Sequence, residues 1–91
     1  MSERTIIIGM ERWQFVGMAK RDGDQVVITN AYNIRRWGTT EGLGELALKG
    51  PKSDSVLDHY GTVRIHVLAI VGSIECAEEP WAKWERKRGT K

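Results

Sequence analysis

Residues Asn33 to Gly50, NIRRWGTTEGLGELALKG, concentrate side chains equipped for recognition chemistry. Arg35 and Arg36 carry planar guanidinium forks that pair with two phosphate oxygens and also stack on flat rings. Trp37 offers a π face worth roughly 1–3 kcal/mol to a stacked base. Thr39 and Thr40 precede a short helical pattern, and a hydroxyl beside the first free N–H groups of a helix makes a natural anion site. Cation, flat surface and helix start are what a small phosphorylated ligand requires. On a regular strand Arg35 and Arg36 point to opposite faces, so at most one serves a given pocket. The same residues also have a purely structural reading. Trp37 then belongs to a core or interface, Thr40 is an ordinary cap, and both arginines are exposed strand residues.

Catalytic constellations are missing from the sequence. The two histidines, His59 and His66, have no partner at metal-ligand spacing, and no H-x-x-x-H or C-x-x-C occurs. His66 alternates with Ile65 and Val67, which puts it on the less buried face of a strand. Cys76 is the sole cysteine, which excludes an intrachain disulfide and a cysteine zinc cluster, and it reads as a buried structural thiol. Asp54 and Asp58 flank a polar loop and read as solvated carboxylates. Ser53 and Ser55 lack a nucleophile-elbow context. Gly42 and Gly44 lack the lysine and hydroxyl of a phosphate loop. A non-enzymatic protein without metal or cofactor is therefore expected.

The elements that must position these residues are mostly strands. Thr5 to Gly9 holds three consecutive isoleucines, whose branched Cβ favours extended backbone. In Trp13 to Arg21, Phe15, Gly17 and Ala19 share one face and Val16, Met18 and Lys20 the other. Asp22-Gly23-Asp24 is a hairpin turn returning through Gln25 to Thr29. Asn30-Ala31 marks a bend before a further strand, Tyr32 to Trp37. Glu41 to Lys49 is the helix candidate, with Leu43, Leu46 and Ala47 forming a buried stripe and Gly50-Pro51 stopping it. Lys52 to Asp58 reads as a polar loop. Thr62 to Leu68 and Ile70 to Cys76 complete the body. The expected fold is mainly β with one short helix, a small antiparallel barrel or rolled sheet, plus a short C-terminal helix. Residues 1–76 form the single β-rich domain and 77–91 a tryptophan-rich basic helical tail. Pro80 suits the first turn of that helix, and Trp81 and Trp84 fall on one of its faces.

At 91 residues the chain is short for a domain that must bury its own core, which favours a homo-oligomer. Tryptophan enrichment at interfaces makes Trp81 and Trp84 candidates for docking the tail onto the sheet or a neighbouring subunit of such an oligomer, or for forming an exposed patch that grips a partner or ligand. The net charge of +2 lies in the tail, and residues 1–76 carry nine charges of each sign. A neutral body argues against duplex DNA or RNA as partner, whereas a small phosphorylated ligand needs only one or two arginines. No apolar run approaches the roughly 20 residues of a membrane span. No signal-peptide pattern follows Met1, so an intracellular, reducing location is expected.

VVITNAYNIRRWGTTEGLGELALKG followed by GTVRIHVLAIVGSIEC resembles a family of small phage and prophage proteins of uncharacterised function. The resemblance rests on Asn30-Ala31, Ile34-Arg35-Arg36-Trp37, the Leu43–Ala47 helix ending in Gly50, and Ile74-Glu75-Cys76, across residues 13–76. The tryptophan tail departs from that pattern. The chain is also similar in size and residue types to phage sponges of the anti-CBASS or anti-Thoeris kind. By that analogy it sequesters a cyclic nucleotide between subunits in the cytoplasm of an infected cell, holding it with Arg35 or Arg36, Trp37, Thr39 and Thr40. The alternative is a protein–protein inhibitor that grips a host protein through Trp81, Trp84 and the basic tail.

Overall fold

A computed structural model describes residues 3–10, 13–38 and 42–89. The element order is β1 (Glu3–Gly9), β2 (Gln14–Asp22), β3 (Gln25–Arg36), α1 (Leu43–Lys49), β4 (Val56–His66), β5 (Ile70–Glu75) and α2 (Glu78–Gly89). The five strands form one antiparallel sheet in the order β4-β3-β2-β1-β5. The protein is therefore mainly β with two short helices, as its residue pattern implies.

The sheet is rolled, and the chain connectivity shows why. β4 and β5 lie at opposite edges, yet only a single turn of 3-10 helix, Val67–Ala69, joins them. On a flat sheet those edges would stand about 19 Å apart, at roughly 4.8 Å per strand. Four Cα steps reach at most about 14 Å. The sheet must curl until its edges approach at this corner. A backbone bond ties the corner to the β2–β3 turn, with Val67 N–H donating to the Asp24 carbonyl at 2.8 Å, while Gly9 N–H donates to the Trp13 carbonyl at 2.6 Å and closes the β1–β2 connection.

Each face of the sheet carries its own core. On one face Ile6, Val16, Tyr32, Ile34 and Leu57 pack with Leu46 and Ala47 of α1 and Trp81 of α2. On the other, Ile7, Phe15, Ile28 and Ala31 pack with Val26, Val63, Ile65 and Ile70, covered by the roll of the sheet itself. The α1 stripe expected from Leu43, Leu46 and Ala47 is the contact surface of that helix.

Three local features differ from expectation. Residues 25–36 form one continuous strand, and the Asn30-Ala31 bend is a β-bulge in which these two residues oppose the single Gly17. Asn30 takes a left-handed φ of 52°, a conformation that asparagine tolerates better than most residues. Gly17 has to be glycine, because a Cβ there would lie 2.6 Å from Ile28 Cγ2 and 2.8 Å from the Thr29 carbonyl oxygen. β4 begins at Val56, inside the stretch read as a polar loop, because Val56 and Leu57 pair with Arg36 and Ile34. The helix starts at Leu43, two residues later than expected, with Gly42 at the cap position, and the threonines expected to cap it lie outside the described residues.

Candidate functional site

At the β3–α1 junction, the structure separates the residues that the sequence groups. Arg35 faces β4, where its Nε and Nη2 donate to the two Asp58 carboxylate oxygens at 2.9 and 3.1 Å. Asp58 holds the Arg35 guanidinium above its ordinary range through that hydrogen bond and its charge. Arg36 is exposed and has no side-chain partner among the described residues. Trp37 leaves the strand toward Gln14, to which its Nε1 donates at 3.0 Å. Its ring lies over Gly42, where an added Cβ would come within 3.5 Å, and 42% of its surface stays exposed. Thr39 and Thr40 lie outside the described residues. Gly38 fixes the turn with φ 68°, and a Cβ there would strike the Asp54–Ser55 backbone at 2.3 Å. Ser55 Oγ donates to the Trp37 carbonyl from the same place. Among the described residues the junction is thus a tightly tied corner, with a half-open Trp37 ring beside an exposed Arg36.

The expected interface tryptophans divide. Trp81, expected to dock the tail onto the sheet or a neighbouring subunit, is 1% exposed within its own chain. Its Nε1 donates to the Leu46 and Ala47 carbonyls at 3.1 and 3.0 Å. Both carbonyls, in the last turn of α1, also accept a backbone N–H, from Gly50 and Ala77 respectively, at 2.9 Å. Trp84 is half-buried and meets the Tyr32 and Trp81 rings edge-on at 5.0 and 5.7 Å. The tail is held further by Arg4, which donates to Glu85 at 2.7 Å and lies 3.7 Å from Glu78. Cys76 is half-buried beneath this helix, and burial pushes its thiol up to about 12. The thiol expected to be buried is thus only partly covered.

Among the described residues, a concave feature lies elsewhere, on the face without helices. A cleft of about 500 Å³ opens between the β1–β2 corner and the end of β4. Its walls are Met10, Trp13 and Phe15 on one side and Arg64, Ile65, His66 and Ala69 on the other, with Gly9 at the base. Trp13 and Phe15 are two apart on the chain and share a face, and their rings stack at 5.9 Å with 10° between planes. Tyr60 extends the aromatic row from β4, tilted against Phe15 at 5.7 Å. Half of the Trp13 and Tyr60 surfaces is exposed, and Met10 is 54% exposed. Among the described residues that line it are the basic side chains Arg64 and His66 and no carboxylate. Its volume falls in the range of small-molecule sites, about 300–1,000 Å³.

Sequence reasoning missed this site. Trp13 and Phe15 at i and i+2 were the available signal. What hid the site is its far wall, which comes from residues 64–69 and arrives only when the sheet rolls. Among the described residues no cluster of His, Cys, Asp or Glu suits a metal ion, and no helix is long and apolar enough to cross a membrane.

A rolled five-stranded antiparallel sheet, with two short helices on one face and an aromatic cleft on the other, defines a small, mainly β protein. The chain belongs to the family described as a domain of unknown function (DUF6948), whose model matches residues 4–84. That span includes both faces of the sheet and α2 as far as Trp84. No curated protein matches the chain.

Proposed function

We propose that the protein is a non-enzymatic binder of a small planar anion, with a nucleotide or cyclic oligonucleotide as the favoured class, and that the cleft beside Trp13 is where it binds. One observation carries this reading: a cleft of about 500 Å³ whose wall is a half-exposed tryptophan stacked on a phenylalanine. A base gains by stacking on such a ring whatever its identity. Arg64 and His66 on the opposite wall favour an anionic group beside the base. The reading keeps the ligand class expected from the junction and moves the site to another part of the sheet. Sequestration of a phage-defence signal and assembly of subunits around it belong to the same proposal. The rival reading, a host-protein grip by the tail, is weakened because Trp81 is enclosed by its own chain.

The test is a thermal-shift panel of mononucleotides and cyclic di- and trinucleotides, followed by calorimetry on any hit. A ligand that binds only the native state raises the melting temperature through RT ln(1 + [L]/Kd). Trp13→Ala is expected to abolish that shift, and Trp37→Ala to leave it intact. No response from the panel rejects the ligand class. A response lost with Trp37 but kept without Trp13 returns the site to the junction.

A further inference from the structure

A second arrangement lies on the helix-bearing face and does not depend on the cleft. Four polar side chains run in series from the interior to the surface. Arg4, with its side chain 10% exposed, donates to Glu85 Oε1 at 2.7 Å. Glu85 Oε2 accepts from Asn30 Nδ2. Asn30 Oδ1 faces His59 Nε2 at 3.0 Å. The Tyr32 ring lies against the imidazole, with centroids 4.9 Å apart. Asn30 reaches this position through the bulge opposite Gly17 and its left-handed backbone, and bulges are a known means of re-aiming a side chain.

The chain dictates a protonation pattern. Arg4 has donors only, so it faces the carboxylate. An ionised carboxylate only accepts, so Asn30 must turn its NH₂ toward Glu85 and its oxygen toward His59. An amide oxygen only accepts, so His59 must carry its proton on Nε2. The Nδ1 lone pair is then left over, and it has no partner among the described residues. His66 provides a contrast within the same molecule. Its Nδ1 accepts from Leu68 N–H at 3.1 Å, so its lone pair is used by the backbone. Both histidines are exposed, but only one keeps a free, oriented acceptor.

We infer that His59 is a ligand-contacting residue whose Nδ1 takes a hydrogen-bond donor, a hydroxyl or an amine, and that Asn30, Glu85 and Arg4 are its positioning residues. Aligning an exposed imidazole costs conformational freedom, and a chain rooted on a buried arginine meets that cost before a ligand arrives. The flanking Tyr32 and Trp84 rings would cover the apolar part of the same ligand.

Long-range proton–nitrogen NMR at neutral pH reads the tautomer directly. The wild type is expected to show His59 protonated on Nε2. Glu85→Gln is expected to shift His59 toward mixed tautomers, because a glutamine amide can donate to a flipped Asn30. Diethyl pyrocarbonate then probes the lone pairs. The free nitrogen attacks the anhydride carbonyl, an N–C bond forms, ethyl carbonate leaves and the Nε2 proton passes to solvent. Mass spectrometry is expected to show modification at His59 before His66. Ribose and ethanolamine, as hydroxyl and ammonium probes, are expected to move the His59 Nδ1 resonance in the wild type, with loss of that shift in Glu85→Gln. A proton on Nδ1, faster modification of His66, or no response of Nδ1 to either probe each overturns the inference. The wild-type readings stand even where a variant fails to fold.

Discussion

The two faces of the sheet solve the same burial problem in different ways, and the tryptophans show how. On the helix-bearing face, Trp81 is 1% exposed and both its apolar body and its N–H are satisfied within the chain. On the rolled face, Trp13 stacks on Phe15 and leaves half its surface to solvent. A covering helix closes a core completely. A sheet that covers itself by curling leaves a gap where its edges approach, and the cleft is that gap. Sealed and half-open aromatics therefore answer different questions, one about stability and the other about binding.

The largest effect that can break this comparison is at Trp81. Trp81→Ala empties a fully buried site, and it is expected to cost about 3–5 kcal/mol in urea unfolding. A loss near that of an exposed residue would mean that the helix-bearing face is not the sealed one. Gly38→Ala comes next. Its left-handed φ of 68° alone costs about 1–2 kcal/mol for an L-residue, and a Cβ 2.3 Å from the Asp54–Ser55 backbone adds to that. A melting temperature equal to the wild type would show that the junction yields easily, contrary to its tied geometry.

The covered face also predicts a pH dependence. Cys76 is raised in the folded protein from 9.0 to about 12, so the native state holds its thiol proton more tightly than the unfolded state. Its contribution to stability is complete below pH 9 and declines as pH rises toward 12. Subtracting the pH profile of Cys76→Ala from that of the wild type isolates this contribution from lysine and tyrosine titration. Thiol reagents are expected to label native Cys76 slowly at neutral pH. Fast labelling would show that α2 opens.

How much of this was legible in the chain follows from the range of each interaction. The isoleucine strand, the Asp22-Gly23-Asp24 turn and the Leu46-Ala47 stripe depend on neighbours a few residues away, and each is where its pattern puts it. The β4 start was hidden, because Val56 and Leu57 become strand only by pairing with Arg36 and Ile34. The junction looked like a site because its residue types are chemically capable. Asp58, 23 positions beyond Arg35, takes up that arginine, and no local pattern announces the pairing. The cleft and the Arg4–Glu85–Asn30–His59 chain have the same character. Each joins segments far apart in sequence, through a roll and a bulge that residue spacing does not encode.

On the open face the effects on stability should be small. Trp13→Ala loses its stacking on Phe15, worth about 0.5–1.5 kcal/mol beyond area burial. The expected result is a modest fall in the unfolding midpoint together with complete loss of ligand response. Unfolding of this variant would make Trp13 a core residue in function and remove the contrast between the faces.

The smallest effect is expected at Arg35, and it is the most discriminating for the junction. Its bidentate pair with Asp58 has favourable geometry, at 2.9 and 3.1 Å. Both partners are solvent-accessible, however, with side chains 67% and 39% exposed. Water and salt screen such a pair, and holding two side chains in register costs entropy that offsets the attraction. Arg35→Ala is therefore expected to leave the unfolding midpoint unchanged at physiological salt and to lower it slightly at low ionic strength. Ligand response should also persist, since the guanidinium is committed to Asp58 and lies outside the cleft lining. Loss of ligand response with unchanged stability would place Arg35 at the site after all. The binding surface would then extend along the aromatic row from Trp13 through Phe15 and Tyr60 to the end of β3.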